Sequence, residues 1–338
     1  MKHLLIRRTV VSSTTRAVLG LIAIAVLVTT AGALARTAHA TVPAANGLIA
    51  FAATDQNGDY QVFTVAENGQ GLRQLTHIPG GVYWPHWSPD GRRIVFEDDQ
   101  NGGCPSIAII DADGGNLVVL PNEPGICAAM PSFTPDGTHI LFEHCLHCSL
   151  HPPQSGHIDA VWLMRADGSN PHKISSGASD GICGAPEASP DGSKVVFGGC
   201  GPGDGDEALF TASISGAHTT QVTPFSFGVG GKEDWSPDGQ RLLFTDHADY
   251  QGGLSANIDT INPDGTGLFH VTHFSGGEGA ADGLTGSFSP DGRWIVFRYE
   301  LNGSYGLYKI RTDGTGMQAI LPLSSFKPRA IAWGPASS

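Results

Sequence analysis

The densest run of reactive side chains in the sequence is F-E-H-C-L-H-C-S-L-H-P-P-Q-S-G-H at 142–157. His144, Cys145, His147, Cys148, His151 and His157 are soft and borderline donors, and those two or three residues apart could close on one zinc or copper ion. Ser149 follows the second cysteine, so the C-x-x-C-H pattern of haem attachment is not met. The rival reading is covalent. The chain has six cysteines, Cys104, Cys127, Cys145, Cys148, Cys183 and Cys200, and an even number in an exported protein favours disulfides. Cys104–Cys127 is the pair expected first. The other four allow three pairings, and Cys145–Cys148 with Cys183–Cys200 is preferred.

Three other stretches invite a chemical reading. D-Q-N-G-D at 55–59 has the first three spacings of a calcium loop but not its remaining ligands, and reads as a tight turn. G-D-G-D-E at 203–207 is acidic enough to hold Ca²⁺. G-A-S-D-G at 177–181 fits G-x-S-x-G, yet no strand-to-helix elbow surrounds it, so a nucleophile is not expected there.

These groups must be positioned by elements, and the elements announce themselves as repeats. W-S-P-D-G-R-R-I-V-F (87–96), F-T-P-D-G-T-H-I-L-F (133–142), A-S-P-D-G-S-K-V-V-F (188–197), W-S-P-D-G-Q-R-L-L-F (235–244) and F-S-P-D-G-R-W-I-V-F (288–297) are five copies of one motif. A sixth is split, with G-L-I-A-F (47–51) near one end of the chain and A-W-G-P (332–335) near the other. The repeated phenylalanines are 45, 46, 55, 47 and 53 residues apart. Between copies lies a second motif, as in I-A-I-I-D-A-D-G and V-W-L-M-R-A-D-G. Pro presets φ for a turn, Asp binds its own backbone, and Gly supplies the positive φ. Each unit is thus four antiparallel strands, A to D, with S-P-D-G joining A to B and A-D-G joining C to D. A lone meander cannot bury both faces, whereas a ring can. The expected fold is all-β: a six-bladed β-propeller of four-stranded blades, closed by the C-terminal strand beside the N-terminal one. Trp87, Trp235, Trp294 and the repeated Phe residues are expected in the packing between blades.

The repeat also isolates one position. Just before the aromatic residue of strand A stand His86, Ser132, Glu187, Asp234, Ser287 and Ala332, five of the six polar where the innermost strand would otherwise be apolar. The plain reading is a solvated tunnel wall; the sharper one is that His86, Glu187 and Asp234 hold a cation, Ca²⁺ for choice, or a polar ligand. Asp98, His144, Asp246 and Glu300 lie at the far end of strand B, with His247 beside Asp246. His86 with Glu187 or Asp234, and His247 with Asp246, are the pairs able to serve as acid and base. No motif calls for another cofactor.

Residues 1–40 have the parts of an export signal: Lys2, Arg7 and Arg8, an apolar run over 17–35, and Ala38-His39-Ala40. Cleavage after Ala40 is expected, and retention of 17–35 as a membrane anchor is the alternative. The propeller should fill 41–338. Five of the 19 Lys and Arg lie in the first forty residues, which contain no acid, so 41–338 has fourteen bases against 32 acids and a net charge of −18. That field opposes nucleic acid and anionic lipid. Gly (46) and Pro (22) are abundant and charged residues only 15%, which excludes a coiled coil or an acidic disordered chain.

The repeated W-S-P-D-G-x-x-I-V-F and A-D-G elements over 46–335 resemble the TolB-type β-propeller repeat. The resemblance implies an exported protein of the periplasm or cell envelope, and ligand sites on the face of the B–C loops and D-to-A crossovers. TolB itself has an α/β domain ahead of its propeller and serves the Tol–Pal system; here the repeats begin soon after residue 40. The same repeats resemble the propellers of prolyl-oligopeptidase-type enzymes, without the catalytic domain. The expected function is a non-catalytic, monomeric binding module for an envelope protein or small polar ligand. The alternative is a propeller hydrolase or lyase acting on a polar or sugar-like substrate at the tunnel mouth.

Overall fold

A computed structural model describes residues 44–100, 104–121, 127–145, 160–175, 184–201, 207–246, 255–275 and 282–337. The export segment, Cys148, Cys183, His147, His151, His157, His247 and the 177–181 motif lie outside the described residues, as does most of 203–207. Among the described residues no helix is long and apolar enough to cross a membrane.

S-P-D-G fixes the start of each blade. In blade 2, the Ser88 hydroxyl donates to Asp90 Oδ1 at 2.6 Å and accepts the Arg93 N–H at 2.9 Å, while Gly91 takes φ 68°. Ser189–Asp191–Gly192, Ser236–Asp238–Gly239 and Ser289–Asp291–Gly292 repeat the device. The hydroxyl bonds and the backbone N–H two residues on hold the Asp90, Asp136 and Asp191 carboxyls below their ordinary range, against the opposing effect of burial.

Six four-stranded antiparallel sheets result. Strand A of blades 2 to 6 is Val82–Trp87, Cys127–Phe133, Glu187–Ala188, Val229–Trp235 and Asp282–Phe288. In blade 1 this place is taken by the C-terminal strand Arg329–Pro335, which pairs antiparallel with Asn46–Thr54 through Ile49–Trp333 and Ala50–Ala332. The ring is closed by the two ends of the chain, which leaves no unpaired inner edge there.

The core lies between blades. Ala50, Val62 and Leu75 of blade 1 pack on Trp87, Ile94 and Phe96 of blade 2, and five similar clusters complete the circle. Five of the six repeated phenylalanines, Phe51, Phe96, Phe142, Phe244 and Phe297, are among the largest fully buried side chains, and Phe197 is 3% exposed. Trp294 is only partly buried but packs, as expected, against the cluster between blades 6 and 1, with Lys309 Nζ 4.8 Å and Arg311 Cζ 5.3 Å from its ring centre. It shares a strand face with Val296, which is fully buried in the same cluster.

Cys104 and Cys127 form a disulfide, 23 residues apart in sequence, and Cys200 is disulfide-bonded as well. A non-reducing peptide map is expected to recover the Cys104 and Cys127 peptides joined; finding both alkylated as free thiols would contradict the fold of this blade.

Candidate functional site

Strand A holds the site, and a repeated irregularity shapes it. Trp84, Met130, Thr285 and Ala330 take φ of 53°, 50°, 47° and 47°, each two residues before the polar position of its blade. The A–B ladder slips at these points, between Tyr83 and His86, Ala129 and Ser132, and Leu284 and Ser287. Such a bulge re-aims the side chains and frees backbone donors from the ladder. Left-handed φ in a tryptophan or a β-branched threonine is strained, so the contacts beyond the bulge must hold it.

Those contacts run from blade to blade. His86 Nδ1 accepts the Phe133 N–H of blade 3 at 3.2 Å; Asp234 Oδ2 accepts the Phe288 N–H of blade 6 at 2.7 Å; Ser287 Oγ accepts the Trp333 N–H of blade 1 at 3.1 Å. In each case the polar residue of one blade receives the N–H of the next blade's aromatic residue. Ser132 reverses the sense, its hydroxyl donating to the Pro186 carbonyl at 2.6 Å. The polar ring is therefore a set of fasteners as well as a wall. Ser132→Ala is expected to lower stability by about 1 kcal/mol, the net worth of one buried hydrogen bond; chemical denaturation measures it, and an unchanged midpoint would show that the bond contributes nothing.

His86 and Glu187 meet across the tunnel. Nδ1 accepts a backbone N–H, so the proton of a neutral imidazole sits on Nε2, which donates to Glu187 Oε1 at 2.8 Å. The Glu187 backbone carbonyl accepts the Trp235 indole N–H at 3.2 Å. Asp234 uses both oxygens, Oδ1 on the Trp235 N–H at 2.8 Å and Oδ2 on Phe288. Burial raises the Asp234 carboxyl above its ordinary range, with Lys232 opposing and Glu187 adding to the effect.

These residues floor a cavity of about 200 Å³. Its wall is built in layers, one residue per blade. At the rim are Pro89, Pro135, Pro190, Pro237, Pro290 and Pro335; below them come Trp87, Phe133, Ala188, Trp235, Phe288 and Trp333. His86, Glu187, Asp234, Ser287 and Ala332 follow, with Lys232 among them. Five of these prolines belong to A–B turns and Pro335 ends the C-terminal strand at the matching level, so the cavity opens on the turn side of the disk. The reason is local: the polar position stands two residues before the Ser or Thr of the turn.

The other candidates lie at the opposite end of strand B. Asp98 accepts the backbone and side-chain N–H of Gln100 at 3.1 and 2.9 Å, as a turn residue does. Glu300 lies 3.9 Å from Arg298. His144 stacks on Trp162 with ring centres 4.9 Å apart. Asp246 comes within 4.8 Å, ligand atom to ligand atom, of Asp259 and His270, and His270 Nδ1 is 2.7 Å from Asp259 Oδ2. Sequence reasoning missed Asp259 and His270, although an aspartate inside the apolar run I-D-T-I was the available signal.

Lys232 and Glu233 were also missed. Both are buried, at 4% and 1% exposure, in strand A of blade 5. Glu233 fills a slot left by two glycines: a Cβ on Gly184 would lie 2.5 Å from its Oε1, and one on Gly198 2.9 Å. Neither carboxylate oxygen has a hydrogen-bond partner, and burial pushes this carboxyl up to about 8. Glu207, nearby, is pushed up to about 7 by burial.

No family model matches the sequence. A TolB homolog of Chlorobium luteolum is 30% identical over 145 residues, 43% of this chain and 30% of that protein. The crystal structure of TolB from Acinetobacter baumannii superposes with a TM-score of 0.67 at 19% identity, covering 86% of this chain and 67% of that one. This chain has a β-propeller fold like that of TolB. The TolB-like fold also has an enzymatic neighbour, oligogalacturonate lyase from Vibrio parahaemolyticus, with a TM-score of 0.53 at 17% identity over 80% of this chain and 73% of that one. The chain spans less than two thirds of the curated relatives it matches, 62% of an uncharacterized Agrobacterium fabrum protein and 30% of the TolB homolog.

Proposed function

We propose that this TolB-like propeller is an exported, non-catalytic binding module of the cell envelope, and that its binding surface is the tunnel mouth on the turn side. The observation that carries the reading is the state of the acid–base candidates. His86 is engaged at both ring nitrogens and Asp234 at both oxygens, in bonds that hold blades together. A general base must be within reach of a substrate proton; His86 and Asp234 are already spent on the scaffold, and of these candidates only Glu187 keeps an unbonded oxygen, Oε2, at the cavity. What remains is a rigid concave mouth of proline and aromatic side chains over a polar floor, the composition of a binding pocket. The Cys104–Cys127 disulfide fits an oxidising compartment outside the cytoplasm.

The test is photo-cross-linking in intact cells with the tagged full chain. A photoreactive side chain replaces exposed Gln240, beside the turn-side mouth, or exposed Asn57, at a B–C turn. One envelope protein captured from position 240 and not from 57 is the expected result. Capture from 57 alone would move the surface to the B–C face. No capture from either, with turnover of an oligosaccharide, would replace this reading with the hydrolase or lyase.

A further inference from the structure

We infer that the cavity at the tunnel mouth takes a small zwitterion, a carboxylate and an ammonium on one short frame, with the carboxylate on Lys232 and the ammonium on Glu187. This rests on the binding reading above and names the chemistry of its floor.

Lys232 is the leading observation. It lines the cavity and is 4% exposed; its backbone bridges to Ala185, while among the described residues its side chain makes no hydrogen bond and no ion pair within 4.0 Å. A buried cation without a partner is costly, and folded proteins keep one where something else supplies the counter-charge. Its acidic neighbours supply only part of it: Asp234 and Glu233 attract Lys232 through charge, but Asp234 is committed to two backbone N–H groups and Glu233 is inserted between Gly184 and Gly198, so neither bonds its ammonium. Glu187 is the second observation. It lines the same cavity at 8% exposure; Oε1 is held by His86 and Oε2 has no partner. The floor therefore presents one positive and one negative group that do not satisfy each other.

Between them the walls are apolar or aromatic, so a ligand that brought a single charge would satisfy one group and leave the other exposed to it. A dipolar ligand satisfies both. The volume, about 200 Å³, is below the roughly 300–1,000 Å³ of pockets for drug-sized molecules. It suits an amino acid or a dipeptide, whose charged ends flank a short apolar segment that the Trp and Pro rings can cover. These two sources share the chemistry and differ in the distance between their charges.

Calorimetric titration of the full chain with L-alanine, with the dipeptide Ala-Ala, and with acetate or ethylamine alone tests this. One of the two zwitterions is expected to bind at least about tenfold more tightly than either single-charge control, and the better of them identifies the source. Lys232→Met is expected to weaken that zwitterion about tenfold or more. Glu187→Gln should weaken the zwitterion and leave acetate unchanged. Acetate binding as tightly as L-alanine, no zwitterion binding at millimolar concentration, or a Lys232→Met chain that binds unchanged would each overturn the inference. If no zwitterion binds while position 240 still captures an envelope protein, the inference fails and the binding module stands.

Discussion

Glu233→Gln should leave stability nearly unchanged at pH 5 and raise it by on the order of 4 kcal/mol at pH 9. In the unfolded chain this carboxyl ionises near its ordinary 4.5; in the folded protein burial pushes it up to about 8. Below pH 4.5 both states carry the proton and the residue behaves as a neutral group. As pH rises from 4.5 to about 8 the unfolded state loses the proton and the folded state keeps it, so stability falls by about 1.4 kcal/mol for each pH unit. Above 8 the folded state must hold a carboxylate with no hydrogen-bond partner on either oxygen. Gln is the isostere of the protonated acid and has nothing to ionise. Urea midpoints for both proteins at pH 5, 7 and 9 measure the difference. A gap that does not widen with pH would mean that Glu233 is not buried as a neutral acid.

The same residue marks where the sequence stops being legible. The S-P-D-G hairpins could be read because turn chemistry is local, and ring closure because the sixth repeat is divided between the ends. Aligning the copies picked out His86, Glu187 and Asp234, since a polar residue on an innermost strand breaks a pattern. It did not reveal their partners: that His86 faces Glu187, 101 residues away, depends on the curvature of the ring. Nor did it show that the mouth they line opens toward the turns. Lys232 and Glu233 read as part of an ordinary polar run, K-E-D. The residue after each repeated Phe runs Ala52, Glu97, Glu143, Gly198, Thr245 and Arg298, and the glycine is the one place where a side chain is missing. Glu97 and Thr245 each accept the N–H of the next blade's bulge, from Met130 at 3.0 Å and Thr285 at 3.1 Å. At Gly198 the incoming blade fills the vacancy with Glu233. The gap in the repeat is visible in the sequence, but only the packed ring shows that a buried acid fills it.

Asp234→Ala is expected to cost about 3 kcal/mol of stability. The carboxylate accepts the N–H of Trp235 within its own blade and of Phe288 in blade 6, at 2.8 and 2.7 Å. Removing it leaves two buried backbone donors at the blade 5–6 junction, each costing about 1–3 kcal/mol when unpaired. The relief of burying a charge offsets part of this, which is why the sum is not larger: the carboxyl is raised by burial, so its ionised form is held at a cost. Asp234→Asn retains one acceptor oxygen and should lose about half as much. The graded series is what separates a fastener from a ligand. A pure ligand-binding aspartate would show binding lost and the denaturation midpoint unmoved in both variants. A fastener shows stability falling from Asp to Asn to Ala, and any loss of binding follows the loosened wall. Because the bonded oxygens of Asp234 face backbone donors that the Thr285 bulge helps to free, the second outcome is the one the geometry supports.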